Sequence, residues 1–344
     1  MDKAEAKRWI GRNIAAARRV AGLSLRELSK RTGLSHTILN RYEKGLVRNI
    51  PSSVILKIAD ACGVPVGFIL RPPVEAPPLE AVEYRSHKSR TGKKQRKAII
   101  EKVRYWFEGY IELERLLGEE VLPAKLPSFK VASFEEAEAA AESLRAEWEL
   151  GNAPIANLTA LLEDRGFKVG LFDMPEGLFA LTFKAGNHYV IAVSSRIPSD
   201  RLRFSLAHEL GHLCLEVEGM DVEKAVNRFA GAFLVPRKIA VHDLARAKSL
   251  SEFKLLKRKY GVSIQTLLTR AQELGFISDR KYTAFMKAIG KLGWRKKEPV
   301  SLPKEYPVRF LRLVARAEEL GLISSFRKKE LEMSDTALSE VAQV

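Results

Sequence analysis

The sequence predicts a mainly α-helical protein with one small β-sheet, divided into several domains. Three observations support this fold class. Short apolar segments with helical spacing, set off by serine and glycine, fill roughly the first seventy residues. A single alternating segment near residue 190 has strand character, and two similar helical units follow towards the C-terminus. A chain of 344 residues is long enough for each domain to bury its own core.

The composition indicates the class of partner that the protein binds and the cellular compartment that suits it. A formal net charge of +16 favours a polyanionic partner, most simply nucleic acid. The two cysteines, Cys62 and Cys214, match no metal-binding spacing and suit a reducing environment. The N-terminal residues lack the apolar core of a signal peptide, and no stretch approaches the length that crosses a bilayer. We therefore predict a soluble, cytoplasmic protein with no membrane partner.

The N-terminal segment, residues 10–45, predicts three short helices separated by breakers. Ser24 is suited to cap the second helix, and Glu27 three residues later completes a capping box. Gly33 permits a sharp turn, after which Ser35 caps the third helix. Two capped helices joined by a glycine-containing turn form the helix-turn-helix arrangement, in which the later helix enters the major groove of DNA.

The segment "LSLRELSKRTGLSHTILNRYEKG" resembles the Cro/C1 (XRE-type) helix-turn-helix repressors. The resemblance continues through "PSSVILKIADACGVPVGFILRP", which would supply the last two helices of that five-helix domain. It implies double-stranded DNA as a partner, whereas the alternative is a helical bundle that binds protein. The implied groove-facing residues are His36, Thr37, Asn40 and Arg41, and the implied phosphate contacts are Arg26 and Lys30.

A proline-rich and basic connector follows the first domain. Four prolines between Arg71 and Arg85 cannot continue a helix, so the first domain ends near Leu70. The next residues are dense in lysine and arginine. They form either a solvated helix face with a loop, or an extension that neutralises DNA phosphates. The cluster concerned contains Lys93, Lys94, Arg96 and Lys97, and helices are predicted over residues 99–117 and 134–150.

The segment "FSLAHELGHL" contains two histidines with metal-binding spacing. On a helix, His208 and His212 lie about 40° apart on one face, so both imidazoles can bind one zinc ion. Glu209 follows the first histidine and can polarise a bound water. A core helix without metal is the alternative interpretation of the histidine pair.

A third ligand is expected on the following helix, "DVEKAVNRFAGAFLVP". Glu216 and Glu218 lie too close to the end of the first helix to fold back readily. Glu223 lies in the first turn of the second helix and is the predicted ligand, with Asn227 one turn later as a hydrogen-bonding partner of a ligand.

These segments closely resemble the ImmA/IrrE metallo-endopeptidase family. The pattern "RFSLAHELGHL" is followed by Glu223, Asn227 and "RFAGAFLVP", with Val226 standing where the family usually has alanine. The resemblance implies a gluzincin-like α+β domain that uses Glu209 as the catalytic base. The ligand types favour zinc, although a His-His-Glu site could also hold manganese. The resemblance also implies a protein substrate, namely a helix-turn-helix repressor.

The segment "HYVIAVSS" predicts a strand beside the metal motif. If this strand lies at the sheet edge, an extended substrate could pair with its backbone. His188 and Tyr189, at its start, are the nearest residues able to stabilise an oxyanion, although a surface histidine at a strand start needs no function.

Two C-terminal segments, residues 260–278 and 306–324, are identical at ten of nineteen positions. In each, apolar residues recur at helical spacing, and Gly275 or Gly321 ends the helix. Ser278 and Ser324 can cap the next helix. The pair predicts two copies of a short helical unit, which could serve as a sensor or a homodimer contact.

The sequence therefore divides into four predicted regions. They are a helix-turn-helix domain (1–71), a linker followed by helices (72–150), a metallopeptidase domain (151–242) and a helical region with the repeat (243–344). The leading hypothesis is a DNA-binding regulator that is also a zinc endopeptidase. The alternative is a transcription factor whose metal domain senses a ligand or binds a partner without cleaving it.

Overall fold

The computed structural model describes residues 3–47, 49–81, 92–123, 125–332 and 334, and residues 85–91 of the basic connector lie outside this set. The described chain is mostly helical with a small sheet, so the predicted fold class is confirmed. None of its helices is both long and apolar enough to span a membrane.

Five helices form the N-terminal domain, as predicted. They are α1 (Lys3–Val20), α2 (Leu25–Thr32), α3 (His36–Glu43), α4 (Ser52–Cys62) and α5 (Val66–Leu70). Ser24 and Glu27 form the predicted capping box at the start of α2. Gly33 ends α2 at φ 68°, a left-handed conformation that favours glycine. Ser35 caps α3 by accepting a hydrogen bond from the Ile38 backbone N–H.

A four-stranded sheet lies at the centre of the remaining chain. Its strand order is β1 (Glu80–Ala81), β4 (Ala180–Ala185), β5 (His188–Ser194) and β3 (Lys168–Phe172). β5 is an interior strand, antiparallel to β4 and parallel to β3. Residues 188–195 form the predicted strand, but it does not lie at a sheet edge, so the condition for substrate pairing with its backbone is not met. Among the described residues, the outer edge of β4 pairs with β1 only at Lys184 and Phe183.

The sheet separates two apolar cores because side chains alternate along each strand. Ile191 and Val193 face one core, whereas Val190 and Ala192 face the other. The first core contains α7 (Phe134–Glu147), α8 (Leu158–Asp164), α9 (Ser199–Cys214) and α10 (Val222–Leu234). The second contains α6 (Lys93–Leu117) and α15 (Arg309–Glu319). The remaining elements are β2 (Phe129–Val131), β6 (Leu215–Val217), α11 (Arg237–Asp243), α12 (Leu250–Tyr260), α13 (Ile264–Glu273), α14 (Asp279–Lys291) and α16 (Ser325–Glu332).

Helix α6 connects the N-terminal domain to the sheet. It begins at Lys93, so the predicted basic cluster forms its first turns. Tyr105 stacks on Phe68 of α5 with ring centroids 4.4 Å apart, and the Arg71 guanidinium lies 4.2 Å from the Tyr105 ring centre. The neighbouring Trp106 is fully buried against the sheet. The region predicted as a linker followed by helices thus contains a helix shared by two cores.

A buried ion pair fixes α6 to the sheet. Lys168 of β3 donates to Glu114 of α6 over 2.6 Å, and both side chains are inaccessible to solvent. Arg309 of α15 donates to the same Glu114 oxygen over 3.1 Å. Since an unpaired charge in this position would cost several kcal/mol, the three elements depend on one another.

The two copies of the C-terminal repeat pack on opposite sides of the sheet. α13 contributes Ile264 and Leu267 to the first core, and α15 contributes Phe310 and Leu313 to the second. In each copy a distant carboxylate accepts hydrogen bonds from the helix N-terminus: Glu298 for α13 and Glu163 for α15. The predicted glycine ends and serine caps are present. Packing in the two cores and the residues that end or cap helices therefore account for most of the positions that the two copies share.

Helices α9 and α10 cross in close contact at Gly211. A Cβ atom there would lie 2.9 Å from Cδ1 of Phe229 and 3.1 Å from Cγ1 of Val226. Such contacts are tighter than packed side chains tolerate, so only glycine lets α10 approach this closely. Val226, the departure from the family pattern, is one of the two residues that fill this crossing.

Candidate metal centre

Two crossing helices bring three side chains with metal-binding atoms together. His208 and His212 lie one turn apart on α9, and Glu223 lies in the first turn of α10. The Nε2 atoms of the two histidines are 3.0 Å apart. One carboxylate oxygen of Glu223 is 3.4 Å from Nε2 of His208, and the other is 3.5 Å from Nε2 of His212. Among the described residues, these three form a group able to hold a metal ion.

The separations fit a tetrahedral zinc ion. Zinc binds nitrogen and oxygen ligands at about 2.0–2.2 Å, so two ligands of a tetrahedral ion lie about 3.4 Å apart. In the protein the two Nε2 atoms are 3.0 Å apart, and each has a Glu223 oxygen near this distance, Oε2 at 3.4 Å from His208 and Oε1 at 3.5 Å from His212. Two imidazoles and a carboxylate are also the donor set of catalytic zinc sites that keep one coordination position open. The residues present therefore fit the metal that the motif predicts.

Asn227 orients one of the imidazoles. Its side-chain oxygen lies 3.0 Å from Nδ1 of His208. Because an amide oxygen only accepts, Nδ1 carries the hydrogen and the lone pair of Nε2 is directed at the cluster. The sequence predicted that Asn227, one turn after Glu223, hydrogen-bonds a metal ligand. Helix α10 brings Asn227 into contact with His208.

The electrostatic surroundings of His208 favour a cation. Burial lowers the pKa of its imidazole, but the hydrogen bond to Glu223 and the charges of Glu209 and Glu223 outweigh burial, so the pKa is raised overall. The carboxylates therefore stabilise positive charge on the His208 ring.

Glu209 is held by a residue that the sequence did not single out. The hydroxyl of Thr182 donates to a carboxylate oxygen of Glu209, and both side chains are buried. Thr182 lies on β4, opposite Ile191 of β5, on the sheet face that α9 covers. The motif indicates Glu209, but no local pattern marks a threonine on a strand that is distant in sequence.

A cavity of about 290 Å³ opens in front of these groups. One wall is the start of β4 and the turn before it, including Leu178, Phe179 and Thr182. The residues lining the opposite wall are Phe204, Ser205, His208, Glu209, His212, Glu223 and Asn227. The volume lies at the lower end of the range for binding sites, about 300–1,000 Å³.

His188 and Tyr189, predicted as oxyanion stabilisers, do not line this cavity. His188 faces the second core, where its ring meets Phe107 of α6, so the sheet separates it from Glu209. Tyr189 is on the face of Thr182 but stacks on Phe167, and its strand partner is Lys184, two residues beyond Thr182. Strand alternation and register, which the sequence does not reveal here, place both residues elsewhere.

Two other acids considered as the third ligand also lie away from the cluster. Glu216 is on β6 and accepts a hydrogen bond from Ser128 over 2.7 Å, while the backbone N–H of Glu218 binds Val131. Both residues are held by pairing between β2 and β6.

The predicted DNA-contacting residues share the surface formed by α2 and α3. His36, Thr37 and Arg41 are exposed on α3, and Asn40 is half-buried beside them. Arg26 and Lys30 are exposed on α2. Leu39 and Tyr42 of α3 are buried in the domain core, which turns the polar face outwards. These roles in DNA binding stay predictions.

Removal of Glu223 tests the ligand set. Glu223→Ala leaves two imidazoles, and we expect zinc affinity to fall at least about 100-fold, because even residues that only orient a ligand contribute about 10–100-fold. Elemental analysis after dialysis against a weak chelator measures the zinc retained. Glu216→Ala removes an acid that binds Ser128 instead and is expected to retain zinc. Equal loss of zinc in the two variants would exclude Glu223 as a ligand.

Two segments of the chain match known family models. Residues 14–69 match the helix-turn-helix family, and residues 164–272 match the IrrE N-terminal-like domain, a peptidase family. No match was found among curated proteins. The first segment contains α2 and α3, and the second contains the whole His208–Glu223 cluster. The chain thus joins an XRE-type helix-turn-helix domain to an IrrE/ImmA-like peptidase-family domain.

Proposed function

We propose that this protein is a DNA-binding transcriptional regulator that is also a zinc-dependent endopeptidase. The observation that carries the proposal is the convergence of His208, His212 and Glu223, at separations that suit a tetrahedral ion, with Glu209 beside them in an open cavity. A structural metal site would surround its ion with four protein ligands, whereas three ligands facing a cavity suit catalysis.

Different residues of the cavity take different roles in peptide hydrolysis. Zinc, when bound by His208, His212 and Glu223, would supply Lewis acidity for the scissile carbonyl and would lower the pKa of water towards neutrality. Glu209 accepts the proton of the attacking water and returns it to the leaving amine. Thr182 restricts the Glu209 carboxylate by its hydrogen bond to one of the two oxygens.

The edge of β4 offers a place for an extended substrate. Residues 180–182 line the cavity, and β1 pairs with β4 only beyond them, at Phe183 and Lys184, among the described residues. A peptide added to this edge would form main-chain hydrogen bonds and pass in front of Glu209. We therefore propose that an extended substrate pairs with β4, and not with β5 as the sequence suggested.

We propose a helix-turn-helix repressor as the protein substrate, following the IrrE/ImmA-like match. Cleavage would release genes of stress responses, mobile elements or toxin–antitoxin loci. We propose double-stranded DNA as the partner of the N-terminal domain and the cytoplasm as the location of the protein; the helix-turn-helix match supports both. Manganese could replace zinc, since the donor set accepts either. A homodimer, common among helix-turn-helix regulators, would match two-fold symmetric operators.

Glu209→Gln tests the peptidase. The amide cannot accept the proton of water, so we expect cleavage to fall about 10²–10⁴-fold, with zinc content and DNA affinity unchanged. The substrate to try first is the repressor encoded next to this protein, with the appearance of a single cut followed by mass spectrometry. Full cleavage by Glu209→Gln would exclude Glu209 as the catalytic base. If instead the unaltered protein regulates its genes without cutting any protein, the site acts by binding alone.

Thr182→Val tests the support of Glu209. Valine fills nearly the same volume without a donor, so we expect a turnover rate about tenfold lower at unchanged zinc content. Thr159→Val is a matched control, because Thr159 is a buried threonine that donates to another carboxylate, Glu305, away from the cavity. It should change stability and leave turnover near the wild-type value. Similar turnover in the two variants would remove Thr182 from the catalytic machinery.

Asn40→Ala and Lys30→Ala separate base recognition from phosphate contact. The operator is first selected from random duplexes. We expect Asn40→Ala to weaken binding to this operator by about 1–3 kcal/mol and to relax the protein's sequence preference. Lys30→Ala should weaken binding to all sequences alike and reduce the salt slope by about one. Titrations at several salt concentrations measure both effects. The assignment of α3 to base reading would be wrong if the Asn40 variant kept its preference.

A further inference from the structure

Arg96 brings a positive charge into the wall of the metal cavity from outside the peptidase-family segment. It lies in the first turns of α6, and it lines the cavity together with Glu209 and Glu223. Its side chain is half-buried, and it forms no ion pair or hydrogen bond with any other residue that the structure describes. A guanidinium carries five donors in a planar fork that matches a carboxylate, so this group is available to a ligand.

The other cations of the same turn do not face the cavity. Lys94 donates to Glu27 of α2 over 3.0 Å. Lys97 is exposed and does not line the cavity. The side chains of the predicted basic cluster therefore face different surroundings. Among the described residues, Arg96 is the one member of the cluster that lines the metal cavity.

A second cavity, of about 490 Å³, adjoins the first and is basic. Phe204 lines both cavities, and Arg201 of the second lies 3.8 Å from the ring centre of Phe179 in the first. Of its cations, Lys257 is already bound by Asp200 and Glu298. Within the described chain, four others form no ion pair: Arg201, Arg295, Lys296 and Lys297.

We infer that this peptidase selects protein segments with acidic side chains flanking the scissile bond. Arg96 would bind one carboxylate beside the reacting carbonyl, and the basic cavity would bind a second one further along the peptide. This inference rests on the proposed peptidase function and specifies the class of its substrate. Charge-assisted bonds to a guanidinium are roughly twice as strong as neutral ones, so the two sites give a clear preference.

The geometry favours an acidic peptide over a nucleic acid at these sites. Glu209, whose carboxylate is outside the set of metal ligands, lines the metal cavity and repels a chain with a negative charge on every unit. A peptide can place isolated carboxylates at Arg96 and in the basic cavity while neutral residues pass Glu209.

Binding to the full-length, zinc-loaded Glu209→Gln protein tests the inference without requiring turnover. The probes are three fluorescein-labelled ten-residue peptides of alanine, leucine and glycine, which differ only in carrying three glutamates, three glutamines or three lysines. We expect anisotropy titrations to show the glutamate peptide bound about tenfold more tightly than the glutamine peptide. Added Arg96→Glu should remove this preference and improve binding of the lysine peptide.

Lys97→Glu is the matched control, because it makes the same change of net charge on the same helical turn outside the cavity. It should alter the affinities less than about twofold, the size expected of a screened surface charge. A pair of substitutions, Arg295→Glu with Lys296→Glu, should weaken the glutamate peptide as a separate contribution from the second cavity. In the active protein, Arg96→Gln should raise KM for acidic peptides more than it lowers kcat.

Three results would overturn the inference. They are equal binding of the glutamate and glutamine peptides, equal effects of Arg96→Glu and Lys97→Glu, and displacement of the peptide by single-stranded DNA at lower concentration than by unlabelled peptide. The last result would assign the basic cavity to nucleic acid. If the glutamate peptide binds selectively but the unaltered protein cuts nothing, the proposed peptidase function fails and the binding preference stands.

Discussion

The close crossing of α9 and α10 at Gly211 is the constraint on which the candidate site depends. Two helices can share one metal ion only if their axes approach closely, because His208 and His212 project from one helix and Glu223 from the other. Phe229 and Val226 occupy the space that a side chain at position 211 would need. The glycine of the motif, which is no ligand, therefore sets how closely Glu223 of α10 approaches the two histidines of α9.

Helix α6 relates the two halves of the protein. It packs against the N-terminal domain through Tyr105, is fixed to the sheet by the Glu114–Lys168 pair, and brings Arg96 to the metal cavity. Near its start, Lys94 contacts Glu27, which belongs to the capping box of α2. The surface predicted to bind DNA and the cavity proposed to cleave protein are thus connected by one rigid element. The proposed contacts of DNA with α2 and of substrate with Arg96 would therefore both act on one turn of α6, which carries Lys94 and Arg96.

The second repeat shows how the C-terminal region completes this arrangement. α15 covers the sheet face opposite the metal site, and its N-terminus is held by Glu163, whose pKa burial raises to about 7. Its Arg309 joins the buried pair of Glu114 and Lys168. α13, the first copy, belongs to the core on the face that carries α9. Duplication of one helical unit therefore contributes a helix to the core on each side of a single small sheet.

The sequence by itself determined the features that depend on local spacing. The caps Ser24 and Ser35, the left-handed turn at Gly33, the histidines one turn apart and the position of Glu223 in the next helix all follow from helical geometry. Tertiary structure alone decided what depends on strand order and on contacts distant in the chain. It made β5 an interior strand, turned His188 to the far side of the sheet, and placed Thr182 on Glu209 and Arg96 in the cavity. The physical reason is that a helix brings residues three or four apart together through its own hydrogen bonds, whereas the neighbours of a strand are chosen by burial across the whole chain.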